Sequence, residues 1–343
     1  MTRLSLGLVS LCLCCLSACA GRAVDLDRAP SSSAGAESDP DLVSSPGNVQ
    51  GVWVDEQRLY WVSYADASSS NIDKPFHSCL KTDCKQTTLR YAKEGAELNV
   101  ATVAAGHVYW ASYGNFIYSC PSEGCGARPI TLAQDPSRPE PLFANQGYAY
   151  WPSEFDIYRC PASGCTATPE VVALDANSNE SRLVFDESRV YWMNRVGFMS
   201  APLDGSGPPQ LVLQFASDER ALRAAGRGYL YWTVGKQAFR CAIASCDASP
   251  PTLLATANGE IHELEIDDFS MYWLANGVIQ SCPLPGCEHS TALTPAKAWP
   301  PGDSAFTVEN APAFAIDASH VYWIEEADPS GQSSRTVIRK TAK

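Results

Sequence analysis

Seven times in this chain of 343 residues the dipeptide Tyr-Trp recurs: Tyr60-Trp61, Tyr109-Trp110, Tyr150-Trp151, Tyr191-Trp192, Tyr231-Trp232, Tyr272-Trp273 and Tyr322-Trp323. Successive tryptophans stand 49, 41, 41, 40, 41 and 50 residues apart. A period so nearly constant means one supersecondary unit repeated, which confines the fold to architectures made of seven copies of a piece of about 40 residues.

The unit is clearest between Glu260 and Ala296. It runs Ile261 to Asp267, a turn, Met271 to Ala275, Gly277-Val278, Ile279 to Cys282, a turn at Pro283 to Gly286, then Cys287 to Thr294. Four short runs parted by Gly, Asp, Asn and Pro read as antiparallel strands, A to D, joined by tight turns. Four strands in about 40 residues is the size of a propeller blade. The expectation is therefore an all-β chain, a seven-bladed β-propeller of four-stranded antiparallel blades over residues 48–343. An Asp lies six residues before the tryptophan at Asp55, Asp186, Asp267 and Asp317, where its short side chain suits the A to B turn. Tyr and Trp are adjacent on strand B and so point to opposite faces of the sheet. Both faces of a blade pack on neighbours, so the seven pairs are expected as inter-blade core rather than as an aromatic array for stacking a sugar.

Cysteine repeats in the same register. Five pairs enclose four residues each: Cys79/Cys84, Cys120/Cys125, Cys160/Cys165, Cys241/Cys246 and Cys282/Cys287. In the fourth unit Ser200 and Gly205 stand at the matching positions, so both cysteines are missing together, which indicates partners within a unit. A zinc site is the rival reading, since two close cysteines can begin a four-cysteine set. The pairs have no consistent second pair nearby, and His107, His262, His289 and His320 share no register, whereas zinc needs four ligands. In an exported chain disulfides are the expectation. Each small loop would add about 2 kcal/mol, clamping a C to D hairpin without carrying the fold.

Export is what the N-terminus indicates. Arg3 precedes an apolar stretch from Leu4 to Leu16, and Leu16-Ser17-Ala18-Cys19 follows; this is the three-part layout of a secretory signal. The box of leucine, small, small, cysteine resembles that of bacterial lipoproteins. The resemblance implies cleavage after residue 18 and lipidation of Cys19, anchoring the chain to a membrane. It also implies an outer-membrane location, since Ala20, and not the aspartate associated with inner-membrane retention, follows Cys19. Residues 19–47, rich in Ala, Ser, Pro, Gly and Asp, have the composition of a flexible tether. The net charge of −13 becomes −14 when Arg3 leaves with the leader, which makes nucleic acid and anionic headgroups poor partners.

The seventh unit has strand A near Phe314 to Asp317, B from Val321 to Glu325 and C from Thr336 to Lys340, and then the chain stops. The segment Asp41 to Ser45 is a source for its fourth strand, closing the ring and removing an exposed edge. Unit length departs from the period in three places: the B to C connections of units one and seven and the D to A connection from Pro295 to Asn310. In a propeller these connections all emerge on one face, and units seven and one are neighbours. Extra loop length grouped on a rigid scaffold is where function concentrates. The candidate binding face is Tyr64, Asn71, Asp73, His77, Trp299, Asp303, Glu325 and Asp328. Glu97, Glu140, Glu180, Glu219, Glu260 and Glu309 recur near the starts of the inner strands. They read either as an acidic channel mouth or as solvated turn residues of an acidic protein, the second being the plainer reading.

No G-x-S-x-G elbow, H-E-x-x-H, phosphate loop or dinucleotide fingerprint is present, and no catalytic or metal residue is singled out. No cofactor is expected; channel carboxylates could hold calcium, but nothing in the sequence supports it. The pattern Val108-Tyr109-Trp110 with Ile117 to Cys125 resembles the bacterial propeller-repeat lipoproteins, TolB-like in the broad sense. That resemblance implies a monomeric, non-catalytic binding or scaffold role toward a protein, peptide or glycan. The alternative is a propeller hydrolase or lyase with a metal in its channel.

Overall fold

The structure, a computed structural model, describes residues 42–343 apart from 45–48, 64–73, 92–97, 113, 127, 136–138, 140, 154, 166–167, 179–181, 216–219, 288, 295–310 and 327–335. Cys19 and the expected leader, residues 1–18, lie outside the described residues. Each repeat is one four-stranded antiparallel sheet with its strands in the order A, B, C, D. The A strands are Val49–Val54, Leu98–Ala104, Phe143–Asn145, Val184–Phe185, Arg220–Gly226, Ile261–Ile266 and Phe314–Ile316. Those of blades 1 and 2, 2 and 3, 4 and 5, 5 and 6, and 7 and 1 contact one another, which makes them the inner strands around the axis. The fourth strand of blade 7 is Val43–Ser44, paired with Val337 and Ile338 of Thr336–Ala342. The N-terminal segment therefore completes the last blade, and all seven sheets have four strands.

The seven Tyr-Trp pairs make the seams. Every one of these fourteen residues is at most 4 % exposed. The core falls into seven clusters, and each joins the tyrosine of one blade to the tryptophan of the next, from Tyr60 with Trp110 through Tyr272 with Trp323. The seventh cluster joins Tyr322 to Trp61 and so closes the ring. Rings of this size dominate core energetics, and each strand-B dipeptide supplies one ring to each of the two seams beside its blade.

The A to B turns explain the repeated aspartate. Asp186 Oδ1 accepts from the N–H groups of Ser188 and Arg189, both at 2.8 Å, while Oδ2 accepts from the Tyr191 hydroxyl at 2.5 Å. Asp55, Asp267 and Asp317 do the same for their turns and for Tyr60, Tyr272 and Tyr322. In blades 3 and 5 the tyrosines Tyr150 and Tyr231 are met instead by Arg159 and Arg240 from strand C. Blade 2 has neither device, and the buried Tyr109 hydroxyl has no partner among the described residues.

All five cysteine pairs come together as local disulfides. The Cα to Cα distances are 4.7 Å for Cys79–Cys84, 4.8 Å for Cys120–Cys125, 5.3 Å for Cys160–Cys165, and 5.1 Å for both Cys241–Cys246 and Cys282–Cys287. The second cysteines are not equivalent, which corrects the expectation that every bridge only clamps its own hairpin. Cys84 and Cys246 are buried, 8 % and 1 % exposed. Cys84 belongs to the core cluster of Trp61 and Tyr322, and Cys246 to that of Trp232 and Tyr191, so both are part of the packing between blades. A short 3-10 turn, Ile243–Ser245, leads into Cys246 in place of the Pro-x-x-Gly turn of blades 2 and 3. By contrast Cys125, Cys165 and Cys287 are half-buried at the margins of their clusters. Spacing alone could not separate the two kinds, because all five pairs enclose four residues.

The register of blade 4 corrects a second detail. Cys120 and Cys160 lie opposite Val108 and Ala149, and the residue opposite Val190 is Ala201, not Ser200. The positions without cysteine are therefore Ala201 and Ser206. Ala201 stands nine residues after Trp192, the same interval that separates Trp151 from Cys160, Trp232 from Cys241 and Trp273 from Cys282. The turn itself survives without the bridge. Gly205 N–H donates to Pro202 O at 3.1 Å, as Gly124 does to Pro121 at 3.0 Å and Gly164 to Pro161 at 2.9 Å. These glycines all have positive φ, +70° at Gly205, a region natural to glycine. A Cβ at Gly205 would sit 2.5 Å from Val171 O. In blades 2 and 3 the bridge thus clamps a hairpin whose shape the turn already sets.

Two lysines lock neighbouring blades on the A to B face. Lys81 Nζ donates to Asp55 O at 2.8 Å and to Asp317 Oδ2 at 2.6 Å, tying blade 1 to blade 7. Lys343 reaches Asp267 Oδ2 at 2.5 Å across the seam between blades 7 and 6.

Candidate functional site

Strand direction alternates within each blade, so every B to C and D to A connection leaves the same face. The three long connections lie between Ser63 and Phe76, between Ala292 and Phe314, and between Glu326 and Thr336. The first and third belong to the neighbouring blades 1 and 7, and the second enters blade 7 at their junction, where Val52 N–H donates to Pro312 O at 2.9 Å. Of the sequence candidates on this face, Tyr64, Asn71, Asp73, Trp299, Asp303 and Asp328 lie outside the described residues. His77 is a half-buried strand residue whose ring stacks on Trp61 with centroids 5.3 Å apart. Glu325 pairs with Arg339 at 3.0 Å and accepts from Trp323 Nε1 at 3.2 Å. Both are committed to strand packing rather than presented by loops. Of the six channel-mouth glutamates, Glu97, Glu140, Glu180, Glu219 and Glu309 lie outside the described residues, and Glu260 is exposed just before its strand.

The channel carries a cluster that the sequence reading missed. Only the inner strands of blades 5 and 6, Arg-Ala-Leu-Arg-Ala-Ala-Gly and Ile-His-Glu-Leu-Glu-Ile, contain charged residues among the seven. Arg182, just before the inner strand of blade 4, donates from Nη2 to Glu265 Oε1 of blade 6 at 3.1 Å. This pair spans the breadth of blade 5. Arg223 lies at a β-bulge between Leu222 and Ala224, opposite the Tyr231-Trp232 pair. The bulges of blades 1, 2 and 6 fall two residue pairs further along strand B, beside Val62, Ala111 and Leu274. Such an extra residue re-aims a side chain. The Arg223 guanidinium donates to Thr233 Oγ1 at 3.1 Å and to Ile261 O at 3.2 Å, both neutral acceptors.

Glu263 is the most enclosed member, 3 % exposed. Its Oε2 accepts from the Ala313 N–H at 2.7 Å, where the long D to A connection enters blade 7. Its Oε1 has no partner among the described residues. Burial pushes the carboxyl up to about 7, Glu265 adds to this, and Arg182, Arg223 and the Ala313 N–H offset part of it. Burial likewise raises Glu265, against the pull of Arg182. Burial draws Arg223 down to about 10, with Arg182 acting in the same sense and Glu263, Glu260 and Glu265 opposing. The result is a charged guanidinium without a carboxylate partner among the described residues, beside a carboxyl poised near neutrality. Shifts of this kind gather at functional sites as well as in structural ion pairs.

The same strands lead outward to a cavity of about 780 Å³ on the A to B face, walled by the turns of blades 3 to 6. Phe185, Ala225, Gly226 and Ile266 line it, one to three residues beyond Arg182, Arg223 and Glu265 along their strands, and Asp186 and Asp267 form part of the rim. Among the described residues, no three His, Cys, Asp or Glu side chains converge as metal ligands would.

No protein-family model and no curated protein matches this chain. Solved structures do resemble it. Virginiamycin B lyase from Staphylococcus aureus is 11 % identical with a TM-score of 0.57, over 88 % of this chain and 97 % of that one. A puromycin hydrolase mutant is 13 % identical with a TM-score of 0.58, over 81 % of this chain and 50 % of that one. The WD40 propeller domain of Doa1 is 10 % identical with a TM-score of 0.54, over 88 % and 96 %. A lyase, a hydrolase and a WD40 domain share this architecture, and at such identities the likeness is one of fold alone: the protein is a seven-bladed β-propeller.

Proposed function

We propose that this protein is a non-catalytic binding or scaffold propeller of a bacterial cell envelope, anchored by lipid at Cys19. It recognises a protein, peptide or glycan through the face bearing the long connections of blades 7 and 1. One observation carries the reading: the three departures from the repeat all leave one face beside one seam of an otherwise regular ring. A rigid scaffold with its irregular length gathered in one place is the usual layout of a recognition surface. Deleting residues 296–309 should remove specific crosslinked partners from intact envelopes while leaving the near-ultraviolet signal of the packed aromatic rings in place. An unchanged partner set would overturn the assignment. The anchor is checked separately, since Cys19→Ser should abolish palmitate incorporation and release the protein from membranes.

A second reading, a propeller hydrolase or lyase working in the channel, draws on the Glu263 carboxyl, whose ionisation near 7 suits general acid or base catalysis. Stoichiometric calcium retained by purified protein through dialysis would favour that reading.

A further inference from the structure

We propose that the channel beside blades 4 to 7 is a binding site for a small carboxylate, held jointly by the Arg223 guanidinium and the protonated Glu263 carboxyl. The inference does not rest on the loop-bearing face. Three features of the cluster point to it. Arg223 is half-buried and among the described residues meets only neutral acceptors, Thr233 and Ile261 O, so no described carboxylate compensates its positive charge at contact distance. Arg182, the other cation, is already taken by Glu265. Glu263 uses Oε2 to accept from Ala313, which leaves Oε1 to carry the proton, and among the described residues that oxygen has no acceptor to donate to. A buried donor without an acceptor is costly, and a carboxylate satisfies both groups at once: it accepts from guanidinium and from O–H, the charge-assisted contacts that are shortest and strongest.

Size and charge narrow the ligand. A ligand approaching from the A to B face passes a cavity lined by Asp186, Glu187, Asp267 and Asp268 against one cation, Arg227. Repulsion from those carboxylates disfavours polyanions and phosphates, and favours a compact monoanion. The groups that face Glu263 are Arg182 from blade 4, Arg223 from blade 5, Glu265 on its own strand and the Ala313 N–H of blade 7, with Glu260 acting on Arg223. Burial brings the Glu263 carboxyl to about 7, so its ionisation supplies a pH dependence between pH 6 and pH 8. Above neutrality the ionised Glu263 repels the ligand, and binding must then take up one proton.

Calorimetric titration of the whole protein with acetate, D-glucuronate and triglycine at pH 6 and pH 8 tests this, with triglycine amide as the uncharged control. Saturable binding of the carboxylates, about tenfold tighter at pH 6 than at pH 8 with proton uptake at pH 8, is the expected result. Glucuronate outcompeting triglycine would mark a sugar acid as the natural source, and the reverse a chain terminus. Glu263→Gln, which keeps a donor, should retain binding and lose the pH dependence. Arg223→Gln should lose binding, and Arg223→Lys, which keeps the charge but not the fork, should weaken it. Absence of saturable binding at pH 6, equal binding of triglycine amide, an unchanged pH dependence in Glu263→Gln, or full affinity in a folded Arg223→Gln would each overturn the proposal.

Discussion

Replacing Glu263 by glutamine should stabilise the protein above neutral pH and do little below pH 4.5. In the folded chain the carboxyl is enclosed, with one oxygen bonded to the Ala313 N–H and the other unpartnered among the described residues. Its pKa rises from 4.5 to about 7. An acid whose folded pKa is raised binds its proton more tightly in the native state. Its stabilising contribution is therefore complete below 4.5 and is lost as pH climbs through 7. At about 1.4 kcal/mol per unit of pKa, the full swing is about 3 kcal/mol. Glutamine cannot ionise, yet its amide oxygen can still accept from Ala313 and its NH2 can stand where the acid proton stood. The difference in unfolding free energy, variant minus parent, should grow by about 3 kcal/mol between pH 4 and pH 8, with most of the change between 4.5 and 7. Guanidinium unfolding of both proteins at a series of pH values, read by tryptophan fluorescence and circular dichroism together, measures it. A flat difference, or one that shrinks as pH rises, would refute the buried-carboxyl reasoning.

Other consequences follow from the repeat and its exceptions. Tyr191→Phe breaks the bond to Asp186 and should cost about 1 to 2 kcal/mol, whereas Tyr109→Phe removes a buried hydroxyl that has no partner among the described residues and should be neutral or slightly stabilising; chemical denaturation of the two variants side by side decides this. Converting Cys160 and Cys165 together to serine should cost about 2 kcal/mol and leave the far-ultraviolet spectrum unchanged, because the same turn stands unbridged at Gly205; loss of β-sheet signal would contradict that. The same exchange at Cys241 and Cys246 should cost more, since both of those sulfurs lie in a seam, against Cys160 alone in blade 3. Lys81→Met should cost about 2 kcal/mol at neutral pH by taking the cation from Asp317, which keeps its bonds to Ser319, His320 and Tyr322. Burial alone would raise Asp317, but Lys81 and the N–H groups of Ser319 and His320 hold it well below the carboxylate range. Its contribution is present above its ordinary 3.8 and lost as acid protonates it, so the penalty should shrink below that pH, which thermal melts at pH 3 and pH 7 would reveal.

Much of the architecture was legible in the chain because it is periodic. Tyr-Trp marks strand B in every blade, and alternation across a strand sends one ring into each adjoining seam. The missing strand of unit seven was legible as an absence, and Val43–Ser44 fills it. The joint loss of cysteines in unit four was legible too, though its position is Ala201 and Ser206, one residue beyond Ser200 and Gly205. Which sulfurs would join the seams was not legible: Cys84 and Cys246 are set there by the turns that precede them, which differ from blade to blade at constant spacing. The channel cluster was not read either, since it depends on three blades at once. Arg182 and Glu265 are 83 residues apart, and the reach of Arg223 depends on a bulge whose position no single-strand pattern reveals. A signal did exist: the inner strands of blades 5 and 6 are the ones that carry charges, and Glu263 and Glu265 alternate among Ile261, Leu264 and Ile266. The emphasis on glutamates just before the strands drew attention to solvated turns, of which Glu260 is the described example, and away from the acids within a strand.

The proposal that recognition belongs to one face is open to a direct measurement. Photo-crosslinking residues placed at Asp303 and Asp328, in the long connections of the blade 7 and blade 1 junction, can be compared with one at Phe269. Phe269 is 78 % exposed at an A to B turn on the opposite face. Illumination of intact cells should yield the same discrete adducts from Asp303 and Asp328 and none of them from Phe269. Adducts from Phe269 with none from the two loop positions would contradict the account.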